Sequence, residues 1–214
     1  MSAEPDTSLL DRAAGVLPAQ EVELLAALHR FTAERLGAAD ACRESLLKRI
    51  REGGRPEPEL HGFLRDCWEA LDGLAREVNV CMHHLFPEAS LYPPMEMTRQ
   101  CTFYVIRKAL HESPQGTAHP VSRLLWDRTR EQCGEPYERL SFLYNLSLFL
   151  PLWLPEGQLP GTADVPEYAR SLLRPAAVER CDADEGMQEI LRWLRGFTAD
   201  AYGLLTAALQ TQDI

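Results

Sequence analysis

One stretch of this sequence carries apolar side chains at Leu60, Leu64, Cys67, Leu71, Leu74, Val78, Met82 and Leu85, separated by alternating steps of three and four. At about 100° per residue these positions fall within a band roughly 80° wide on one side of a helix. A strand changes face at every residue and cannot bury such a set. The pattern predicts a helix from about Glu57 to Phe86. Its mean step near 3.5 residues predicts a helix that lies along a neighbour.

The segment before it supplies that neighbour. Pro18 suits the first position of a helix. From there Leu25, Leu28, Leu36, Ala39, Leu46 and Ile50 keep one apolar stripe. Gly53 and Gly54 stop the helix, and Pro56 and Pro58 delay the next start. Roughly 34 helical residues would extend ~50 Å. The turn EGGRPEP is short, so the two helices are expected to form a long antiparallel hairpin.

Proline and glycine punctuate the rest. Pro87 closes the second helix, and Pro93 and Pro94 open a third, expected over Pro94 to Glu112. SPQGTAHP reads as a loop. A fourth helix is expected over Pro120 to Cys133, with Leu124, Leu125 and Trp126 inward. After Gly134 and Pro136 comes Leu140 to Leu154, LSFLYNLSLFLPLWL. It is hydrophobic all round and so is expected in the middle of a bundle. LPEGQLPGTAD, Leu154 to Asp164, reads as a linker. A short helix over Pro166 to Leu173 should follow it, and a closing helix over Ala183 to Leu209 with Met187, Ile190, Leu194, Ala201, Leu205 and Ala208 on its stripe. No run alternates as a strand would. The reading is an all-α, up-and-down bundle of about six helices, with residues 1–15 loose and 16–214 a single domain.

Composition removes several functions. The 214 residues carry 22 Lys and Arg against 32 Asp and Glu, a net charge of −10. Such a chain is a poor general binder of nucleic acid or anionic lipid, although a local basic patch remains compatible with it. The 15 residues from Leu140 to Leu154 are interrupted by Asn145, Ser147 and Pro151. They fall short of the ~20 that a membrane-crossing helix needs. Met1 to Leu17 does not read as a signal peptide. None of the cysteines, Cys42, Cys67, Cys81, Cys101, Cys133 and Cys181, forms a CxxC pair. Reduced thiols in a cytoplasmic protein are the expectation.

Spacing also tests for chemistry. The residues three before the six histidines are Ala26, Pro58, Val80, Cys81, Lys108 and Gly116. None is acidic, so no ferritin-like di-metal pattern is present. HExxH, the phosphate loop GxxxxGK, GxGxxG and GxSxG are all missing. Cys81, His83 and His84 are close in sequence but project in different directions from a helix. No metal or cofactor is expected.

Arg76 and His83 lie two turns apart on the face away from the apolar stripe, which Arg65, Glu69 and Asp72 share. That face is either solvated or a site in which Arg binds a phosphate and His moves a proton. Such a pair can cleave RNA without metal, using the ribose 2′-hydroxyl as nucleophile. Arg107 and His111 make a weaker version, more in keeping with an ordinary surface. Trp68, Tyr104, Trp126 and Trp153 are candidates to line a small-ligand pocket, although aromatics in a bundle usually belong to the core.

The segment FLRDCWEALDGLAREVNVCMHHLFP, Phe63 to Pro87, resembles the second helix of HEPN-like proteins. The matching pieces are Leu71-Asp72-Gly73-Leu74-Ala75 and Glu77-Val78-Asn79, with weaker echoes in RLSFLYN and the closing helix. The resemblance implies a homodimer-forming bundle. Many such proteins are metal-independent ribonucleases in conflict or toxin–antitoxin systems, with an Arg followed after several residues by a His. Arg76 and His83 have that spacing, but the family usually carries its motif on a later helix. The counterpart here, Arg139 to Leu154, has no His. The resemblance therefore implies a degenerate, non-catalytic member that dimerises or docks a protein partner in a bacterial stress or defence system. The alternatives are a ribonuclease using Arg76 and His83, with RNA as its partner, and a small-ligand-binding bundle.

Overall fold

The computed structural model describes residues 8–129, 135–149, 157–170 and 177–211. The fold is all-α. Its helices are α1 (Ser8–Ala13), α2 (Ala19–Arg51), α3 (Glu57–Met82), α4 (Phe103–Glu112), α5 (Pro120–Asp127), α6 (Glu135–Phe149), α7 (Glu167–Arg170) and α8 (Ala183–Gln210). Two short strands, β1 (Gln158–Leu159) and β2 (Cys181–Asp182), pair antiparallel. No helix among the described residues is long and apolar enough to cross a membrane.

The chain divides into two compact units. The first draws on Met1–Glu34, Ala70–Asp127 and Gly196–Ile214, the second on Arg35–Glu69 and Arg128–Arg195. The long helices α2, α3 and α8 thus contribute residues to both.

In the first unit α2 and α3 run antiparallel: Glu21 meets His84, His29 meets Glu77, and Thr32 meets Gly73. A Cβ on Gly73 would lie 2.5 Å from the Thr32 hydroxyl oxygen, so glycine permits this close approach. Leu25, Leu74, Val78, Phe103, Ile106, Leu110, Val121 and Phe197 are among the core residues here. Each aliphatic or aromatic side chain taken fully from water contributes about 1.5–3 kcal/mol.

In the second unit the same two helices pair through Arg35 with Asp66 and Glu69, Cys42 against Gly62, and Arg49 with Glu59. The register is again antiparallel, as the EGGRPEP turn predicts, and Gly53 takes a left-handed φ of 69° there. Leu140, Phe142, Leu143 and Leu146 of α6 and Met187, Ile190, Leu191 and Leu194 of α8 are buried. Trp68 stacks flat on Tyr144 with centroids 4.6 Å apart.

Several boundaries differ from the sequence expectation. The expected loose segment is helical from Ser8, because Leu9 and Ala13 are buried. Helix α3 ends at Met82 rather than Phe86, where Leu85 and Phe86 both donate to the Met82 carbonyl in a closing turn before Pro87. The third helix does not start at Pro94. A single 3-10 turn occupies Pro94–Glu96, and α4 begins at Phe103, where Asp72 of α3 accepts its backbone N–H at 2.8 Å. The last turn of α6 is not central: Leu148 and Phe149 are exposed. Expectations for Cys133, for Leu150 to Leu154 and for Ser171 to Leu173 fall outside the described residues.

Candidate functional site

The polar residues of the LDGLAREVN stretch all project from the second half of α3, and each has a partner within the first unit. Asp72 caps α4 through the Phe103 N–H. Arg76 donates from Nε to the Cys101 carbonyl at 3.2 Å. Asn79 clamps Tyr92 on both sides: its amide donates to the Tyr92 carbonyl at 2.8 Å and its oxygen accepts the Tyr92 N–H at 2.9 Å. Positions 72, 76 and 79 follow helical spacing, so one face of α3 holds the chain between Leu91 and Phe103. At Asp72 and Arg76 the face that could have been solvated or an Arg/His site is a packed seam.

The fourth polar residue, Glu77, points elsewhere. It is 0% exposed and accepts from Thr32 Oγ1 at 2.5 Å, from Tyr202 Oη at 3.1 Å and contacts His29 Nδ1 at 3.0 Å. The His29 and Tyr202 rings lie 4.6 Å apart. Burial, reinforced by Glu77, raises the pKa of the Tyr202 phenol, which stays protonated and donates. A Glu–His pair of this kind resembles the orienting half of a catalytic triad. Here His29 and Thr32 are also buried, which keeps substrate away, and the cluster joins α2, α3 and α8 instead.

Arg76 and His83 have separate neighbours. Arg76 lies on α3 and His83 just past its end, a rise of about 10 Å along the helix axis. Arg76 is engaged with Cys101, whereas His83 sits edge-on to His84, 5.2 Å between centroids. Desolvation, and then the neighbouring His84, lower the His83 pKa. Burial pushes the Cys101 thiol up to about 11 against the opposing charge of Arg76, so it is no nucleophile at neutral pH. Among the described residues no group of three or more His, Cys, Asp or Glu is placed to hold a metal ion.

The weaker pair is not an ordinary surface. Arg107 is buried, packed 5.6 Å from the Tyr104 ring centroid and 5.0 Å from that of Trp126, and His111 stacks on Trp126 at 3.6 Å. Trp68 is stacked in the second unit, Tyr104 and Trp126 flank Arg107 in the first, and Trp153 lies outside the described residues.

What the first unit does present is a cleft of about 480 Å³ walled by Leu24 and Leu28 of α2, by Pro94, Met95 and Met97, and by Arg76 and Arg99. Met95 is 61% exposed. Arg76, held by its Nε at the Cys101 carbonyl, is among the residues that line the cleft. Sequence reasoning missed this cleft because Pro94 to Glu112 reads as one helix, which would carry Met95, Met97 and Arg99 round three faces. With α4 starting only at Phe103, where Asp72 accepts its N–H, Met97–Cys101 is non-helical, and Met97, Thr98 and Arg99 of it line the cleft.

The fold and cleft define an all-α protein with a mixed apolar and basic surface site. No family model matches the chain, and no curated protein or solved structure matches it.

Proposed function

We propose that this chain is a non-enzymatic helical module that docks another polypeptide in the cleft between Leu24, Leu28, Met95 and Met97. The observation that carries this is the exposed methionine-bearing wall beside two arginines. Methionine is adaptable and suits variable apolar side chains. Arg76 and Arg99 favour carboxylates. In a chain of net charge −10 the cleft is a local basic site, so charge complementarity selects a segment with apolar anchors flanked by Asp or Glu. Within this reading the chain is a cytoplasmic, degenerate HEPN-like bundle whose Asp72 and Asn79 serve architecture. A second copy of the chain in the cleft is the competing occupant.

The test is a displayed peptide library selected on the full chain and counter-selected on the Met95→Asp/Arg99→Glu double variant. Apolar–acidic peptides that lose binding to the variant are expected. Enrichment of peptides indifferent to the variant, or a concentration-dependent dimer that the variant abolishes, contradicts this occupant. An RNA cleavage assay with and without EDTA is expected to show no activity. Cleavage that disappears in His83→Ala would replace docking with the ribonuclease reading.

A further inference from the structure

The chain has five methionines, and the structure sorts them sharply by exposure. Met82 and Met187 are 0% exposed, and Met1 lies outside the described residues. Met95 is 61% exposed and Met97 is half-buried, and both line the docking cleft of the first unit. Among the described residues the methionines open to solvent are therefore these two, on one wall of one cleft.

The described thiols are poorer targets for an oxidant. Cys67, Cys81 and Cys101 are buried and Cys42 and Cys181 half-buried, and burial raises the pKa of each. A thiol attacks a peroxide as its thiolate, whereas a thioether needs no deprotonation. The segment that carries Met95 and Met97 is also tied at both ends. Asn79 clamps Tyr92 before it, and Arg76 and Asp72 hold Cys101 and Phe103 after it. These bonds run through Tyr92, Cys101 and Phe103, so a change at the methionine sulfurs alters the cleft wall and leaves its supports in place.

We infer that Met95 and Met97 form an oxidation site through which a hydroperoxide switches the docking cleft off. The inference rests on the docking reading, since its consequence is loss of the partner. The sulfur lone pair attacks the outer peroxide oxygen. An S–O bond forms and the O–O bond breaks. Sulfur gives up two electrons, and the proton of the transferred oxygen goes to the departing one, which leaves as water or an alcohol. The product sulfoxide is polar where the thioether was apolar. An apolar anchor packed on it deprives the sulfoxide oxygen of water, and burying such a polar group opposes docking. A dithiol reverses the step: it gives back two electrons and becomes a disulfide, and the oxygen leaves as water.

The test has two arms on the full chain. In the first, dilute hydrogen peroxide is followed by peptide mapping in a mass spectrometer. Met95 and Met97 are expected to oxidise about tenfold faster than Met82 and Met187, in line with their exposure, with the thermal melt by circular dichroism unchanged. Equal rates at all four, or a melt lowered as Met95 and Met97 react, overturns the inference. In the second, a library peptide with Leu or Phe anchors flanked by Asp and Glu, selected on the untreated chain, is titrated before and after peroxide. Its affinity is expected to fall about tenfold or more, which is ~1.4 kcal/mol. Methionine sulfoxide reductases with dithiothreitol are expected to restore it, and dithiothreitol alone is not. The Met95→Leu/Met97→Leu variant, compared with itself, is expected to keep through peroxide whatever affinity it has. Equal affinity before and after peroxide, or recovery with dithiothreitol alone, overturns the inference and leaves docking standing. A selection that yields no such peptide on the untreated chain is the failure of the docking reading, and this inference falls with it.

Discussion

Glu77 and Arg139 are charged groups withdrawn almost completely from water, one in each unit, and they are treated in opposite ways. Glu77 has three side-chain partners drawn from two other helices. Among the described residues Arg139 pairs with one acid, Glu189, which is itself partly exposed, and its Nε has no hydrogen-bond partner. A buried charge stabilises a fold only when its hydrogen-bonding capacity is met. The difference teaches which one is architecture: Glu77 specifies how α2, α3 and α8 meet, whereas Arg139 is incompletely paired among the described residues.

The largest effect should come from breaking the satisfied cluster. Glu77→Ala leaves His29, Thr32 and Tyr202 without their shared acceptor. Urea unfolding is expected to show a loss of about 3–5 kcal/mol. Removing one polar residue from the seam of α3 should cost less. Asp72→Ala uncaps α4 and is expected to lower stability by about 1 kcal/mol, with amide exchange increased at Phe103 and the residues after it.

The smallest effect concerns pH. The folded pKa of His83 lies below its ordinary value, so the unfolded chain takes up that proton more readily. Below about pH 6.5 this contribution to stability is lost as pH falls. His119, whose pKa burial also lowers, acts in the same direction. The melting temperature should therefore fall between pH 7 and 5.5, and His83→Asn should remove part of the fall. A larger fall in the variant would contradict the assignment.

The apolar period of α3 was legible in the sequence because burial acts on it directly: Leu60, Leu64, Cys67, Leu71, Leu74, Val78 and Met82 are all fully buried. The glycine–proline turn and the antiparallel hairpin were legible for the same local reason. The third helix was not. Its residues have helical propensity from Pro94 onward, but Asp72, Arg76 and Asn79 bind the intervening backbone from another part of the chain, and a tertiary cap overrides local preference. Glu77 was visible only as part of a resembling motif, since nothing in its spacing announces that Thr32 and Tyr202 will meet it. Arg139 was visible only as the start of an apolar helix, because its partner Glu189 lies fifty residues away in the sequence.

The most direct test sets the two buried charges side by side in equilibrium unfolding of the full chain without added ligand. Arg139→Met replaces an incompletely paired guanidinium by an apolar chain of similar length, and Glu189 remains free to face water. Its stability is expected to stay within about 1 kcal/mol of the parent, while Glu77→Ala loses several times that. Equal, large losses for both variants would show that Arg139 is as structurally committed as Glu77, and would contradict the distinction on which the account rests.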